Sequence, residues 1–146
     1  MGKIIIKESW KKNSIVNKEK YESMYKDSIE HNDEFWSKQG ERLDWIKKYT
    51  KIKNVKFSSK DVNINWYQDG TLNVSENCVD RHYKKDPDRV AIIWEGDNPN
   101  ESKKITYKKL YQEVNKIANV LKKLGIKKGD RVTIYLTMIP ELAYSM

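Results

Sequence analysis

The chain has 146 residues, 34% charged and 38% apolar, with a net charge of +8 and a mean hydropathy of −0.89. Such polarity would suit disorder, but five Trp and nine Tyr usually pack, so a folded chain with a thin core is expected. Ile4-Ile5-Ile6 is the longest apolar run near the N-terminus, short of the roughly 7 apolar residues of a secretory signal or the roughly 20 of a membrane span. Cys78 is the only cysteine and can form no intrachain disulfide. A protein of the reducing cytoplasm, away from membranes, is therefore expected.

In chain order, Asn17 is placed to cap a helix over about 18–29, with Tyr21, Met24, Tyr25 and Ile29 at helical spacing. Asp33 is expected to cap a second short helix carrying Phe35 and Trp36, and Leu43, Trp45 and Ile46 supply a further apolar anchor. Residues 50–65 show no clear period and read as chain laid over a surface. Trp66-Tyr67, Gln68-Asp69-Gly70 and Thr71-Leu72 read as a tight turn, with Gly70 expected to supply a positive φ. Asn73 or Ser75 can open a helix to about Tyr83, and Pro87 blocks its continuation.

Val90–Trp94 is a nearly continuous apolar run, as in a strand buried on both faces, followed by a loop over Gly96–Asn100. Ile105-Thr106 ends a short strand, and Thr106 can cap the next helix. In that helix Tyr107, Leu110, Tyr111, Val114, Ile117, Ala118, Leu121 and Leu124 recur on one face. Lys108, Lys109, Lys116, Lys122 and Lys123 lie mostly on the other. Gly125 is a natural residue to end it, and Lys122 and Lys123 suit the negative end of its dipole. Lys128-Gly129-Asp130 turns the chain into an expected strand over Val132–Leu136, and Pro140 opens a last helix. Strand, helix and strand in this order predict a parallel crossover unit, which needs neighbouring strands. The fold class expected is α/β: a helical and irregular N-terminal extension, then the first β-α-β elements of a large domain, incomplete.

The candidate chemistry is sparse. The six glycines form no phosphate-cradling pattern. Cys78 and His82 stand one helical turn apart, too few for a closed metal site, and read as a buried thiol and a hydrogen-bonded imidazole. Asp80 and Arg81 read as ties to neighbouring elements. His31 reads as a surface or capping residue, and nothing sets Glu95, Asp97 and Glu101 as an acid/base pair. Trp36, Trp45, Trp66 and Trp94 read as core anchors. The basic excess is concentrated in residues 101–146, and its 25 Lys against 4 Arg fit a solvated face better than nucleic-acid readout.

Asp44-Trp45, Trp66–Asn73, Asn77-Cys78-Val79-Asp80-Arg81-His82 and Ile93–Asp97, in that order, resemble the N-terminal region of the acetyl-coenzyme A synthetase (acetate–CoA ligase) family. Ile105–Leu110 and Leu124–Val132 resemble the wider adenylate-forming (AMP-binding) superfamily, and Met138-Ile139-Pro140-Glu141 also fits the acetate enzymes. Leu136-Thr137-Met138 departs slightly from the usual Met-Pro-Met.

The resemblance implies residues 1–80 as the family's N-terminal extension and residues 81–146 as the truncated start of the AMP-binding domain. The full enzyme would join acetate to ATP, release pyrophosphate, and pass the acetyl group from acetyl-adenylate to coenzyme A, with Mg2+ as cofactor. Its phosphate loop, carboxylate pocket, ribose-binding Asp, adenylation Lys and CoA-binding arginines would all lie downstream. No catalytic, cofactor-binding or metal residue is therefore assigned here, and no cofactor is expected on this piece by itself. Its expected partner is the remainder of the ligase large domain, with no nucleic acid and no membrane. Two alternatives remain open: a propionyl- or other short-chain acyl-CoA synthetase, and a stand-alone basic interaction module.

Overall fold

Local capping explains where one of the first three helices, the second, begins. In the computed structural model, which describes residues 4–98 and 100–146, α1 spans Glu8–Asn13 and α2 spans Lys18–Glu30. The Asn17 side chain accepts from the Lys20 amide at 2.9 Å, as its position in the sequence predicts. Helix α3 spans Asn32–Gly40, but Asp33 is not its cap. His31 stands at that position without a side-chain capping bond, and Asp33 falls in the first turn, where a carboxylate suits the helix dipole. The chain divides into two compact units, Met1–Leu72 and Asn73–Met146.

In the first unit, strand β1 (Trp45–Lys47) pairs antiparallel with β4 (Thr71–Leu72). Between them, β2 (Lys53–Phe57) and β3 (Val62–Trp66) form an antiparallel hairpin with Val55 opposite Ile64 and Phe57 opposite Val62. The sequence reading of residues 50–65 as patternless chain is thus corrected. Val62, Ile64 and Trp66 alternate with Asn63 and Asn65, which is a strand pattern. Its turn has neither Gly nor Pro. It is closed by side chains instead: the Ser58 hydroxyl donates to the Asp61 carbonyl (2.9 Å) and accepts from the Asp61 amide (3.0 Å).

An aromatic cluster fills this unit. Trp45, Tyr49 and Tyr67 lie 4.5 to 5.6 Å apart between ring centroids, with Trp66 and Trp36 extending the chain of rings. The polar tips of the rings end on the last turns of α3. Tyr49 Oη donates to the Ser37 carbonyl (2.8 Å), Trp45 Nε1 to the Gly40 carbonyl (2.8 Å) and Tyr67 Oη to the Trp36 carbonyl (2.6 Å). The carbonyls of Ser37 and Gly40 also accept main-chain bonds at the helix end, from the Glu41 and Leu43 amides (both 3.2 Å). Burial of the Tyr67 ring, then the nearby Tyr49 phenol, pushes the Tyr67 pKa up.

The expected role of Gly70 changes. Tyr67, at φ +48°, carries the left-handed residue of the turn. Gly70 is needed for space: a Cβ there would lie 2.7 Å from the Trp45 ring.

The second unit opens with a π-helical turn, Glu76–Asp80, running into α4 (Arg81–Lys85). The Asn73 side chain accepts from the Glu76 amide, the capping role expected for it. Strands β5 (Val90–Glu95) and β6 (Ser102–Thr106) form an antiparallel hairpin, and the loop expected over Gly96–Asn100 includes Pro99, which lies outside the described residues. Strand β5 is not buried on both faces; Ile93 is 64% exposed.

Helix α5 (Tyr107–Lys123) is capped by Thr106, whose hydroxyl accepts from the Lys109 amide at 3.3 Å. It ends in a Schellman motif: the Ile126 amide donates to the Leu121 carbonyl, the Gly125 amide to the Lys122 carbonyl, and Gly125 has φ +83°. Leu110 of α5 packs with Val79 and Ile105 as the buried core, flanked by Ile92, Tyr107 and Tyr111. Tyr83 stacks on Tyr111 at 4.4 Å.

Helix α6 (Pro140–Ser145) starts at the proline, as expected. The segment 131–137 before it forms no strand. No strand pairs with it among the described residues, and without a ladder the expected crossover unit is not closed. The α/β character stands, but its sheets are small and antiparallel.

Candidate functional site

The Asn77–His82 segment is the strongest motif in the sequence, and the π-helical turn decides which of its side chains face inward. Asn77 and Val79 are buried, while Cys78 is exposed. This corrects the reading of Cys78 as a buried thiol: one additional residue in the turn carries it to the surface. His82 stacks on Tyr107 at 5.0 Å between ring centroids. Asn77 Nδ2 donates to the Asn73 carbonyl (3.0 Å), and Arg81 Nη1 donates to Asn77 Oδ1 (3.2 Å). This motif ties the turn to α5. The tie to α5 is the His82–Tyr107 stack, whereas the Arg81 bond to Asn77 lies within the turn and not on the neighbouring element expected for it.

The lysines of α5 do not stand alone. Lys109 and Lys116 both donate to Glu113 Oε1, at 2.7 and 2.9 Å. Those two hydrogen bonds hold the Glu113 carboxyl below its ordinary range, and the Glu113 contact raises Lys109. An open cleft of about 470 Å3 lies beside them, lined by Lys103, Lys104, Glu113, Glu141 and Tyr144. Burial, with help from Glu141 and Glu113, pushes the Tyr144 phenol up. The Lys103 ammonium lies over the Trp94 ring (5.3 Å), and Trp94 Nε1 donates to the Met138 carbonyl (2.7 Å), so Trp94 anchors the chain from a part-buried position outside the core expected for it, and Trp36 and Trp66 are likewise partly exposed. The cleft can attract an anion, but no activated nucleophile or converging backbone donors accompany its charges among the described residues.

One acidic group was missed by the sequence reading. Asp69 accepts from the Thr50 hydroxyl (2.5 Å), the Thr50 amide (2.9 Å) and the Lys51 amide (3.2 Å). These bonds, the Thr50 hydroxyl first, lower its pKa from 3.8 to about 2. The Asp-Gly pair signalled a turn, but nothing local signalled that its carboxylate would reach back across 19 residues. It clamps the turn to the Thr50–Lys51 backbone.

His31 Nδ1 lies 2.9 Å from Asp27 Oδ1 on an exposed face. Around Glu95, Asp97 and Glu101 the order is in the main chain, where the Gly96 amide donates to the Glu101 carbonyl (2.8 Å). Among the described residues no group of three or more His, Cys, Asp or Glu side chains could hold a metal ion. No described helix is long and apolar enough to cross a membrane.

Comparison with known proteins accounts for the motifs that the geometry leaves without chemistry. Residues 21–78 match the family model described as acetyl-coenzyme A synthetase N-terminus, and residues 79–146 match that of AMP-binding enzymes. An acetyl-coenzyme A synthetase of Mesorhizobium japonicum is 55% identical over 141 residues, 97% of this chain and 22% of the relative. One of Methylocella silvestris is 57% identical over 94% of this chain and 21% of the relative, and one of Brucella canis 59% over 93% and 21%. The chain thus spans about a fifth of the length of these curated relatives. Among solved structures, the acetoacetyl-CoA synthetase from Streptomyces lividans superposes with a TM-score of 0.75 at 26% identity, covering 86% of this chain and 19% of that one.

Proposed function

We propose, from a chain whose residues 21–78 belong to the acetyl-coenzyme A synthetase N-terminal family and whose residues 79–146 belong to the AMP-binding enzymes, that it forms the N-terminal part of an acetate–CoA ligase. The whole ligase converts ATP, acetate and CoA to acetyl-CoA, AMP and pyrophosphate through acetyl-adenylate, using Mg2+ in the cytoplasm. Residues 1–80 serve as its extension and residues 81–146 as the start of its AMP-binding domain. The contribution of this part is structural, and by itself it carries no ligase activity and holds no nucleotide.

The supporting observation is identity of 55–59% over at least 93% of the chain, confined to about a fifth of each relative. The exposed apolar surface agrees with it. Ile93, Leu124 and Met138 are each more than 60% exposed, whereas side chains of that size are usually interior in a self-sufficient domain.

The test is a chimera in which residues 1–146 replace the corresponding region of the Mesorhizobium japonicum relative. Acetate-dependent exchange of pyrophosphate into ATP is expected from the chimera and not from the 146-residue chain. Exchange by the short chain, or a folded chimera without exchange, sinks the reading.

A further inference from the structure

Asp69-Gly70 is the one Asp-Gly pair in the sequence, and such a pair carries a side reaction within its own backbone. The glycine amide nitrogen attacks the aspartyl carboxyl carbon, a C–N bond forms, the C–O bond breaks, and one water leaves with the carboxyl hydroxyl and the amide proton. Water then opens the five-membered imide at either carbonyl, giving aspartate or isoaspartate with no net change in mass. Glycine favours the closure because no Cβ hinders its nitrogen or restricts its backbone. A protonated carboxyl must be free to swing its carbon against that nitrogen.

The turn withholds both conditions. Asp69 Oδ1 accepts from the amides of Thr50 (3.1 Å) and Lys51 (3.2 Å), and Oδ2 from the Thr50 amide (2.9 Å) and hydroxyl (2.5 Å). Both oxygens are thus tied to a segment 18 and 19 residues earlier, while the Gly70 amide donates to the Tyr67 carbonyl (2.9 Å). Closure must break bonds on both reacting groups. With the Asp69 pKa lowered from 3.8 to about 2, the protonated fraction near neutral pH falls roughly ten- to hundred-fold below that of an ordinary aspartate.

The fold cannot discard the labile pair by changing its glycine. A Cβ at Gly70 would lie 2.7 Å from the Trp45 ring and 3.2 Å from Tyr49 Cβ. Isomerisation would be costly here, since it lengthens the main chain by one carbon directly before Thr71, which pairs with Lys47 of β1.

We infer that Asp69 is a latent isomerisation site, and that its bonds to Thr50 and Lys51 hold the Asp69-Gly70 pair back from imide closure as well as fixing the turn. Both reacting atoms belong to adjacent residues. The reaction therefore requires no partner, and further polypeptide over this face would leave it intramolecular.

Ageing of the purified chain at mildly acidic pH tests it, with peptide mapping by a protease that cuts before aspartate but not before isoaspartate. The folded chain should accumulate isoaspartate at position 69 at least about tenfold more slowly than the same chain unfolded in guanidinium. Thr50→Val removes the hydroxyl bond, the first cause of the lowered carboxyl, and should speed the folded chain about three- to tenfold. Thr50→Ser keeps a hydroxyl and should stay near the wild type. Ser58→Ala loosens the β2–β3 turn of the same unit and should leave the rate unchanged. Near-ultraviolet dichroism of the aromatic cluster identifies the folded samples, and the folded-to-unfolded comparison decides even where Thr50→Val does not fold. A folded chain that isomerises as fast as the unfolded one overturns the inference. So does a folded Thr50→Val that ages no faster than the wild type, or a Thr50→Ser that ages as fast as Thr50→Val. Equal acceleration by Ser58→Ala also overturns it, because opening of the whole unit would then set the rate.

Discussion

The two units of this chain reach order by different means. In Met1–Leu72 the fixed points are polar atoms on aromatic rings: the hydroxyls of Tyr49 and Tyr67 and the indole of Trp45 all end on carbonyls of α3. In Asn73–Met146 the fixed points are aliphatic, with Val79, Ile105 and Leu110 packed under a helix stopped properly at both ends. A hydrogen-bonded ring tip fixes a position but removes little apolar area. A buried leucine removes area but accepts several positions. The first unit should therefore respond most to changes of shape, and the second to changes of volume.

The largest effect that sharpens this contrast is expected from Leu110→Ala. Leu110 is 8% exposed, and its truncation should cost about 2 to 4 kcal/mol in the second unit. Hydrogen exchange read residue by residue should show the loss in α5 and β6 and leave α3 unchanged. Equal loosening of both units would break the comparison.

Gly40→Ala is the counterpart in the first unit. A Cβ at Gly40 would lie 2.5 Å from the Tyr49 hydroxyl and 2.9 Å from the adjoining ring carbon, so the ring must move and its bond to Ser37 must lengthen. Overpacking of this kind costs about 1 to 3 kcal/mol, offset in part by the better helix propensity of alanine, about 1 kcal/mol. Near-ultraviolet dichroism should report the displaced tyrosine. An unchanged spectrum with unchanged stability would mean that shape does not govern this unit.

A smaller effect probes how much of the second unit is set locally. Thr106→Ala removes the acceptor of the Lys109 amide and should cost about 1 kcal/mol, visible as fraying of the first turn of α5. Caps of this sort were legible in the sequence. Asn17, Thr106, Gly125 and Pro140 act within a few residues of themselves, and each stands where its chemistry predicts.

Long-range geometry was not legible. Gly70 is a glycine because Trp45 approaches it, and Tyr67 is left-handed within a cluster assembled from distant segments. The β2–β3 hairpin was hidden because its turn is closed by Ser58 and Asp61 in place of Gly or Pro. Residues 132–136 carry a strand pattern, but a strand exists only in its partner, which no local signal supplies. The candidate site followed the same rule. The Asn77–His82 motif was visible, whereas the direction in which Cys78 points depends on one additional residue in the π-helical turn.

The smallest expected effect is the one that separates the units by acid. Asp69 is held at a pKa of about 2 against an ordinary 3.8, first by the Thr50 hydroxyl and then by the Thr50 amide. A folded-state pKa below the unfolded value means that the clamp contributes fully above pH 3.8 and fades as pH falls toward 2. Glu113 is also lowered, by Lys109 and Lys116, so the second unit has an acid-sensitive group of its own. The two are separable by substitution. Asp69→Asn should flatten the acid response of amides near Thr50 and Lys51 while leaving those of α5 as they were, and Glu113→Gln should do the reverse. Both residues are part-buried with solvent still in reach, so each difference will be small and best read as a local exchange rate. A first unit whose acid response is the same with aspartate or asparagine at position 69 would mean that the ring tips hold the turn without the clamp.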